Sequence, residues 1–298
     1  MLLVARYGQG RAGGVFLDCA LGSGMEIVSG PNELKRAAAA PLADAGGATE
    51  LDGGDAGLLG FAKQVLGWTL EDKQRELLEG PGKRVILNCT RQWGKSWMAA
   101  VALLYHALQN PGSLSLIAGP TQMQSAELLE KVKRLAGRIG LKPKGDGIRR
   151  HSAVFPGQAR VVAVPGRSAD TIRGSSDVTM MVFDEAAMMR DEVYAAARPA
   201  LTQKDGAIWL LSTPKGKKGF FEKEFRNGAE NWRRVVAPAT ECPRFTREAL
   251  EAEKASLGER LFSQEFLCEF VETNDGLFDE AWFAEVFQPG VAPLKVEW

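Results

Sequence analysis

Histidine and cysteine are scarce in this chain: His106 and His151, and Cys19, Cys89, Cys242 and Cys268, are spread over 298 residues with no C-x-x-C pair. That spacing offers neither the clustered thiolates and imidazoles of a structural zinc site nor a disulfide framework, and it points to a reducing compartment. Long apolar runs are missing as well. None approaches the ~20 residues that a membrane-crossing helix needs, and the opening Met1-Leu2-Leu3-Val4-Ala5 meets Arg6 too early for a signal-peptide core. A cytoplasmic protein with no membrane partner is expected. Net charge is lacking too: 37 Lys+Arg balance 37 Asp+Glu, so overall charge singles out no polyanionic partner.

What is present is a chain with 45% hydrophobic and 25% charged residues, long enough for one large α/β domain and a smaller appendage. Residues 1–56 are rich in Gly and Ala, with Ala37-Ala38-Ala39-Ala40 and Gly53-Gly54, and show no sustained periodicity. Such a segment buries too little to offset its ordering entropy, so a poorly structured stretch is expected, with an interaction arm as the sharper alternative. From Leu58 the pattern turns helical. Thr69 and Asp72 suggest a capping box for a helix whose apolar stripe is Leu70, Leu77 and Leu78, and Gly80-Pro81-Gly82 ends it.

The chain is organised around Arg84-Val85-Ile86-Leu87-Asn88-Cys89-Thr90-Arg91-Gln92-Trp93-Gly94-Lys95-Ser96-Trp97. An apolar, β-rich run stops at a polar loop, and Gly94-Lys95-Ser96 opens an amphipathic stretch to about Gln109: strand, loop, helix. In a phosphate loop, backbone N–H groups wrap the phosphates, the lysine reaches the β/γ oxygens and the hydroxyl ligates Mg²⁺. Lys95 and Ser96 stand where those two roles fall, and the helix they begin adds the positive end of its dipole. The match to G-x-x-x-x-G-K-[ST] is incomplete, because Cys89 occupies the place of the first glycine.

Further strands are expected at Leu114 to Ala118 and Ala159 to Val164, flanking a helix from about Gln122 to Ile139, with a hairpin arm at Ala153-Val154-Phe155. Val178 to Phe183 runs into Asp184-Glu185, and Gly206 to Leu211 runs into Ser212-Thr213-Pro214. Helical segments separate these strands, which argues for a parallel sheet covered on both faces. Ligands in such sheets bind at the carboxyl ends of the strands, and the polar residues singled out sit at those ends. An acidic pair there can divide its work: Asp184 completes the Mg²⁺ shell and Glu185 orients and deprotonates an attacking water, the positioning that phosphoryl transfer requires. A helix N-terminus favouring negative charge is the plainer alternative. Thr213 could report hydrolysis to another part of the molecule or simply belong to a turn. The Gln74 amide could pair with a donor and an acceptor of adenine, or sit solvated on its helix.

Charge is segregated along the chain. Eleven basic residues (Lys131, Lys133, Arg134, Arg138, Lys142, Lys144, Arg149, Arg150, Arg160, Arg167 and Arg173) face only Asp146 and Asp170 between positions 131 and 173. Lys215, Lys217 and Lys218 form a second cluster, and residues 241–298 hold thirteen acidic against five basic side chains. The basic stretch could track a phosphate backbone or be a set of solvated faces.

Taken together, these residues resemble the ATPase domain of a large terminase subunit, the DNA-packaging motor of tailed bacteriophages. Its phosphate loop commonly takes the form x-x-R-Q-x-G-K-[ST] without the leading glycine, a form that Thr90-Arg91-Gln92-Trp93-Gly94-Lys95-Ser96 fits. Also similar are Asp72-Lys73-Gln74-Arg75, Gly119-Pro120-Thr121, Ile172-Arg173-Gly174, Val182-Phe183-Asp184-Glu185-Ala186, Leu211-Ser212-Thr213-Pro214 and Phe262-Ser263-Gln264-Glu265-Phe266. The resemblance implies a RecA-like P-loop α/β core at residues 57–240, with a mainly parallel sheet flanked by helices, and an acidic helical linker at 241–298. It implies ATP and Mg²⁺ as cofactors, with Glu185 as base, Lys95 and Arg91 on the phosphates, Thr213 as coupler and Ser96 and Asp184 on the metal. Gln74, Thr90, Gln92, Trp93 and Gly94 would complete the nucleotide site. Double-stranded DNA, a portal protein, a terminase small subunit and a homo-oligomeric ring are the implied partners. The nuclease domain usual in such subunits would begin near Asp279-Glu280, so no DNA cleavage is expected from this chain alone. A superfamily-two helicase-like ATPase and a non-catalytic nucleotide-binding remnant are the rival readings.

Overall fold

In the computed structural model the described residues are 57–272, apart from 66, 81, 168 and 203, together with 7–9 and 15–17. The two short N-terminal pieces, β1 (Tyr7–Gln9) and β2 (Val15–Leu17), pair antiparallel. The rest of the segment expected to be poorly structured, and the linker beyond residue 272, lie outside the described residues.

Seven strands form the central sheet: β3 (Arg84–Cys89), β4 (Leu114–Gly119), β5 (Ser152–Val154), β6 (Arg160–Pro165), β7 (Val178–Asp184), β8 (Ala207–Ser212) and β9 (Arg233–Ala237). Their order across the sheet is β5-β6-β4-β7-β8-β3-β9. All neighbours run parallel except β5, which pairs antiparallel with β6 through the expected hairpin. The edge strand β9 went unforeseen. Its run Arg233-Arg234-Val235-Val236-Ala237 is too short and too charged to signal a strand, and its pairing with β3 is what makes it one.

The helices are α1 (Leu58–Gly60, continuing as a π turn at Phe61–Val65), α2 (Asp72–Leu78), α3 (Lys95–Gln109), α4 (Gln122–Arg138), α5 (Ala169–Arg173), α6 (Asp191–Thr202), α7 (Gly219–Asn227), α8 (Arg247–Leu257) and α9 (Glu259–Phe266). They cover both faces of the sheet. One core packs Met98, Leu103 and Leu104 of α3 and Leu128, Val132 and Leu135 of α4 against Val85, Leu87, Ile117, Val182, Trp209 and Leu211. The other packs Val193 and Leu201 of α6 and Phe220 and Phe221 of α7 against Ile86, Leu116, Phe183, Ile208 and Leu210. Successive strand residues therefore alternate between two buried faces, which is why these strands read as continuous apolar runs rather than as a polar/apolar alternation.

One local expectation is corrected. The cap of α2 is Glu71, not Thr69: Glu71 and Gln74 form the reciprocal capping box, with the Gln74 Oε1 accepting from the Glu71 N–H at 3.2 Å. Chain extension persists to Glu71 (φ −67°, ψ 158°), so Asp72 is the first helical residue and cannot be the third. Leu70, Leu77 and Leu78 are buried as expected.

Candidate functional site

The parallel arrangement gathers the carboxyl ends of β3, β8 and β7 side by side, with β8 between the other two. After β3 the chain turns through Gln92 (φ 59°) and Gly94 (φ 102°), both left-handed, before α3 begins at Lys95. Gly94 is the residue at which the turn requires glycine, since a side chain at that φ would be strained. The first N–H groups of a helix have no intrahelical partner and carry its positive dipole end, so the start of α3 offers a ready anion cradle.

Lys95 and Ser96, on the first turn of α3, project toward the end of β7. The Lys95 Nζ lies 2.9 Å from the Glu185 Oε1, and the Ser96 hydroxyl donates to the Asp184 Oδ2 at 3.2 Å. Burial works against the Lys95 ammonium, but the Glu185 carboxylate beside it outweighs that cost and raises its pKa. Burial raises the Asp184 pKa, with Lys95 acting in the opposite direction. Glu185 itself is left-handed (φ 54°, ψ 45°), which swings its side chain off the strand direction. The backbone N–H of Glu185 also donates to the Asp184 Oδ1 at 3.2 Å, fixing the acidic pair relative to each other.

β8 supplies the links between the two flanking strand ends. The Thr213 hydroxyl donates to the Cys89 carbonyl at the end of β3, 2.9 Å away. The Ser212 hydroxyl accepts from the Ala187 N–H at 3.1 Å, just past Glu185, and donates to the Thr213 carbonyl at 2.8 Å. Cys89, in place of the usual first glycine, is a fully buried strand residue whose thiol pKa is pushed up by that burial.

The remaining sequence-predicted residues divide into two groups. Thr90 and Arg91 engage the segment after α9's midpoint: the Thr90 hydroxyl donates to the Glu265 carbonyl at 2.9 Å, and the Arg91 Nε donates to the Glu265 carboxylate at 2.5 Å. Asn88 reinforces this link through the Cys268 carbonyl, 2.8 Å from its Nδ2. On the other side of the loop, Gln74, Gly94 and Trp93 help line a cavity of about 370 Å³ with Trp68, Trp97 and Arg244. The Trp93 ring is buried in the core, so its contribution to the loop is its backbone. Gln74 is partly committed, with its Oε1 in the capping box and its Nε2 3.5 Å from the Trp93 carbonyl. Sequence reasoning missed Trp68, Glu71, Trp97 and Arg244. Trp97 was at hand beside the loop, but nothing in the spacing ties Arg244, 151 positions on from Trp93, to the same place.

The family model for the large terminase subunit, T4likevirus-type, N-terminal, matches residues 86–285. The chain belongs to the large terminase family. Among curated proteins, the large terminase subunit of Thermus virus P23-45 is 31% identical over 178 residues, 53% of this chain and 36% of that protein. The chain thus matches about a third of the length of its curated relatives. Among solved structures, the Thermus phage P74-26 large terminase ATPase domain is 26% identical with a TM-score of 0.58, covering 70% of this chain and 97% of that one. The large terminase of a thermophilic bacteriophage, solved in complex with ADP, shares the terminase fold at 16% identity and a TM-score of 0.59, covering 68% of this chain and 54% of that one. Among the described residues, no helix of this terminase is long and apolar enough to cross a membrane.

Proposed function

We propose that this terminase chain binds and hydrolyses ATP at the carboxyl ends of β3, β8 and β7, and that hydrolysis drives translocation of double-stranded DNA. The observation that carries the reading is the convergence of two neighbouring pairs of side chains whose contacts span 88 positions or more: Lys95 on Glu185 at 2.9 Å and Ser96 on Asp184 at 3.2 Å. A cation, a hydroxyl and two carboxylates at a helix N-terminus form the donor set that a nucleoside triphosphate and its metal require.

The residues present fit Mg²⁺. No cluster of three or more His, Cys, Asp or Glu occurs among the described residues, so the protein alone builds no metal cage. A hydroxyl and one buried carboxylate facing it suit an ion that takes one or two protein oxygens and completes its shell with phosphates and water. Ser96 and Asp184 would hold it, and when bound it neutralises charge on the phosphate oxygens.

In the proposed cycle, triphosphate draws Lys95 away from Glu185 and leaves that carboxylate free to accept a proton from the water that attacks the γ-phosphorus. The β–γ bridging bond breaks, releasing ADP and phosphate. Thr213 and Ser212 tie the strand bearing the phosphate loop to the loop bearing the base, which suits Thr213 to transmit the change. The cavity lined by Gln74, Trp97 and Arg244 accommodates the adenine. Arg91 would leave Glu265 to reach the γ-phosphate. Assembly as a homo-oligomeric ring on a portal protein in the host cytoplasm, with a small terminase subunit delivering the DNA, completes the proposal.

Glu185→Gln tests it. Removing the carboxylate charge frees Lys95 for phosphate, so ATP affinity is expected to hold or rise while turnover falls by about 10²–10⁴-fold, the range for loss of a general base. ATPase rates measured with and without double-stranded DNA, alongside an ATP-binding titration, check both halves; wild-type turnover in the variant would refute the assignment.

A further inference from the structure

The phosphate loop is held from outside by one guanidinium. Arg244 lies between β9 and α8, in the acidic part of the sequence, yet its side chain reaches back to the loop. Its Nη1 donates to the Gln92 carbonyl at 3.0 Å and its Nη2 to the Trp93 carbonyl at 2.7 Å. The other edge of the guanidinium is taken by Glu71: the Nε stands 2.9 Å from the Oε1, and the Nη2 3.4 Å from the Oε2. Glu71 in turn is fixed as the cap of α2, and Gln74, three residues on, adds its own Nε2 at the Trp93 carbonyl.

The geometry points to Arg244 as a positioning residue for the phosphate loop. In a planar trans peptide the carbonyl and the following N–H point in opposite directions. Holding the carbonyls of Gln92 and Trp93 on the Arg244 side therefore turns the N–H groups of Trp93 and Gly94 to the opposite side of the loop. Those N–H groups immediately precede Lys95, where a phosphate loop presents its donors. Gln92, a non-glycine residue, is held in a left-handed backbone conformation (φ 59°), which favours an external restraint on the loop at that position. Only arginine presents donors in a rigid fork that can serve two carbonyls and a carboxylate at once; lysine offers a point charge on a flexible stem. Arg244 bonds to the loop carbonyls and Glu71 and to none of Lys95, Ser96, Asp184 or Glu185, although it also lines the cavity proposed for adenine. It acts through the loop, and it makes the orientation of the cradle depend on the segment that follows β9.

This inference rests on the nucleotide-binding reading, and the test separates the two. ADP affinity, ATP KM and kcat are measured for the full chain and for its Lys95→Ala, Arg244→Lys, Glu71→Gln and Glu71→Gln/Arg244→Lys variants, with melting temperatures recorded in parallel. The expected result is that Arg244→Lys weakens ADP binding and raises ATP KM by about tenfold, the scale of one or two hydrogen bonds from a charged donor, while kcat at saturation changes by less than about threefold. Glu71→Gln keeps the shape of the cap and loses the charge that orients the fork, so a smaller loss is expected, and the double variant should be no worse than Arg244→Lys alone. Wild-type affinity in Arg244→Lys, a loss that disappears when binding is measured further below the melting temperature, or fully additive losses in the double variant would each overturn the role of Arg244. ADP binding to the wild type that Lys95→Ala abolishes keeps the nucleotide site standing in those cases. A wild type that binds no nucleotide overturns both.

Discussion

Glu185 sits in a backbone conformation that a non-glycine residue adopts only under restraint, at φ 54° and ψ 45°. The restraint is visible: its own N–H is held by Asp184, the Ala187 N–H two residues on by Ser212, and its side chain by Lys95. His106 on α3 is restrained differently. The Thr179 hydroxyl donates to the Leu114 carbonyl at 3.2 Å and so accepts from the His106 Nε2–H at 3.0 Å, while the Asn110 amide lies 3.4 Å from the Nδ1. The ring is therefore neutral with its hydrogen on Nε2, and burial lowers its pKa. Because the folded value lies below the unfolded value of about 6.5, the unfolded chain takes up the proton first. Stability from this site is complete above that pH and is lost as the pH falls below it. The urea midpoint of the wild type should drop between pH 7 and pH 5, and His106→Gln should show a smaller drop, measured by tryptophan fluorescence; equal drops would show that His106 does not contribute.

At the level of elements, α4 shows how a helix start is written in the chain. Thr121 is extended (φ −129°, ψ 156°) and its hydroxyl accepts from the Gln124 N–H at 3.2 Å. Thr121→Ala should cost about 1 kcal/mol, a fall in melting temperature of ~2–4 °C for a domain of this size, readable by calorimetry. The same kind of local chemistry made β3, β4, β7, β8, α3 and α4 legible in the sequence to within a residue or two, because apolar runs, caps and breakers are local signals. β9 and the cap of α2 were not legible. β9 takes its structure from β3, far along the chain, whereas the cap of α2 is local, Glu71 with Gln74, and went unread because glutamate is not among the favoured N-cap residues. The site divides along the same line. Lys95, Ser96, Asp184, Glu185 and Thr213 could be read from strand-end chemistry, whereas the pairing of Arg91 with Glu265 and the hold of Arg244 on the loop depend on tertiary approach alone.

Across the whole molecule, the segregated charge is the feature that bears on a polyanionic partner. Part of it is spent locally: Lys131 and Arg134 lie over the Trp97 ring, Lys133 pairs with Glu130 and Arg173 with Asp170. Lys142, Lys144 and Arg150 are exposed in the stretch between α4 and β5. If the chain tracks DNA through phosphate contacts, stimulation of ATP hydrolysis by double-stranded DNA should fall steeply between about 50 and 200 mM salt, with a log–log slope near 0.9 per contact. Replacing those three residues together by alanine should flatten the slope by about two to three without altering the rate in the absence of DNA; an unchanged slope would place the DNA elsewhere.

The position of β8 between β3 and β7 has one more effect. Lys95 follows one strand and Asp184 ends another, and the gap they share is two interstrand repeats wide, about 10 Å at ~4.8 Å each. Backbone hydrogen bonds enforce that width, so it acts as a built-in gauge: helices may repack and side chains may drift with sequence change, but the opening offered to a ligand keeps its calibre as long as the three ribbons remain laced together.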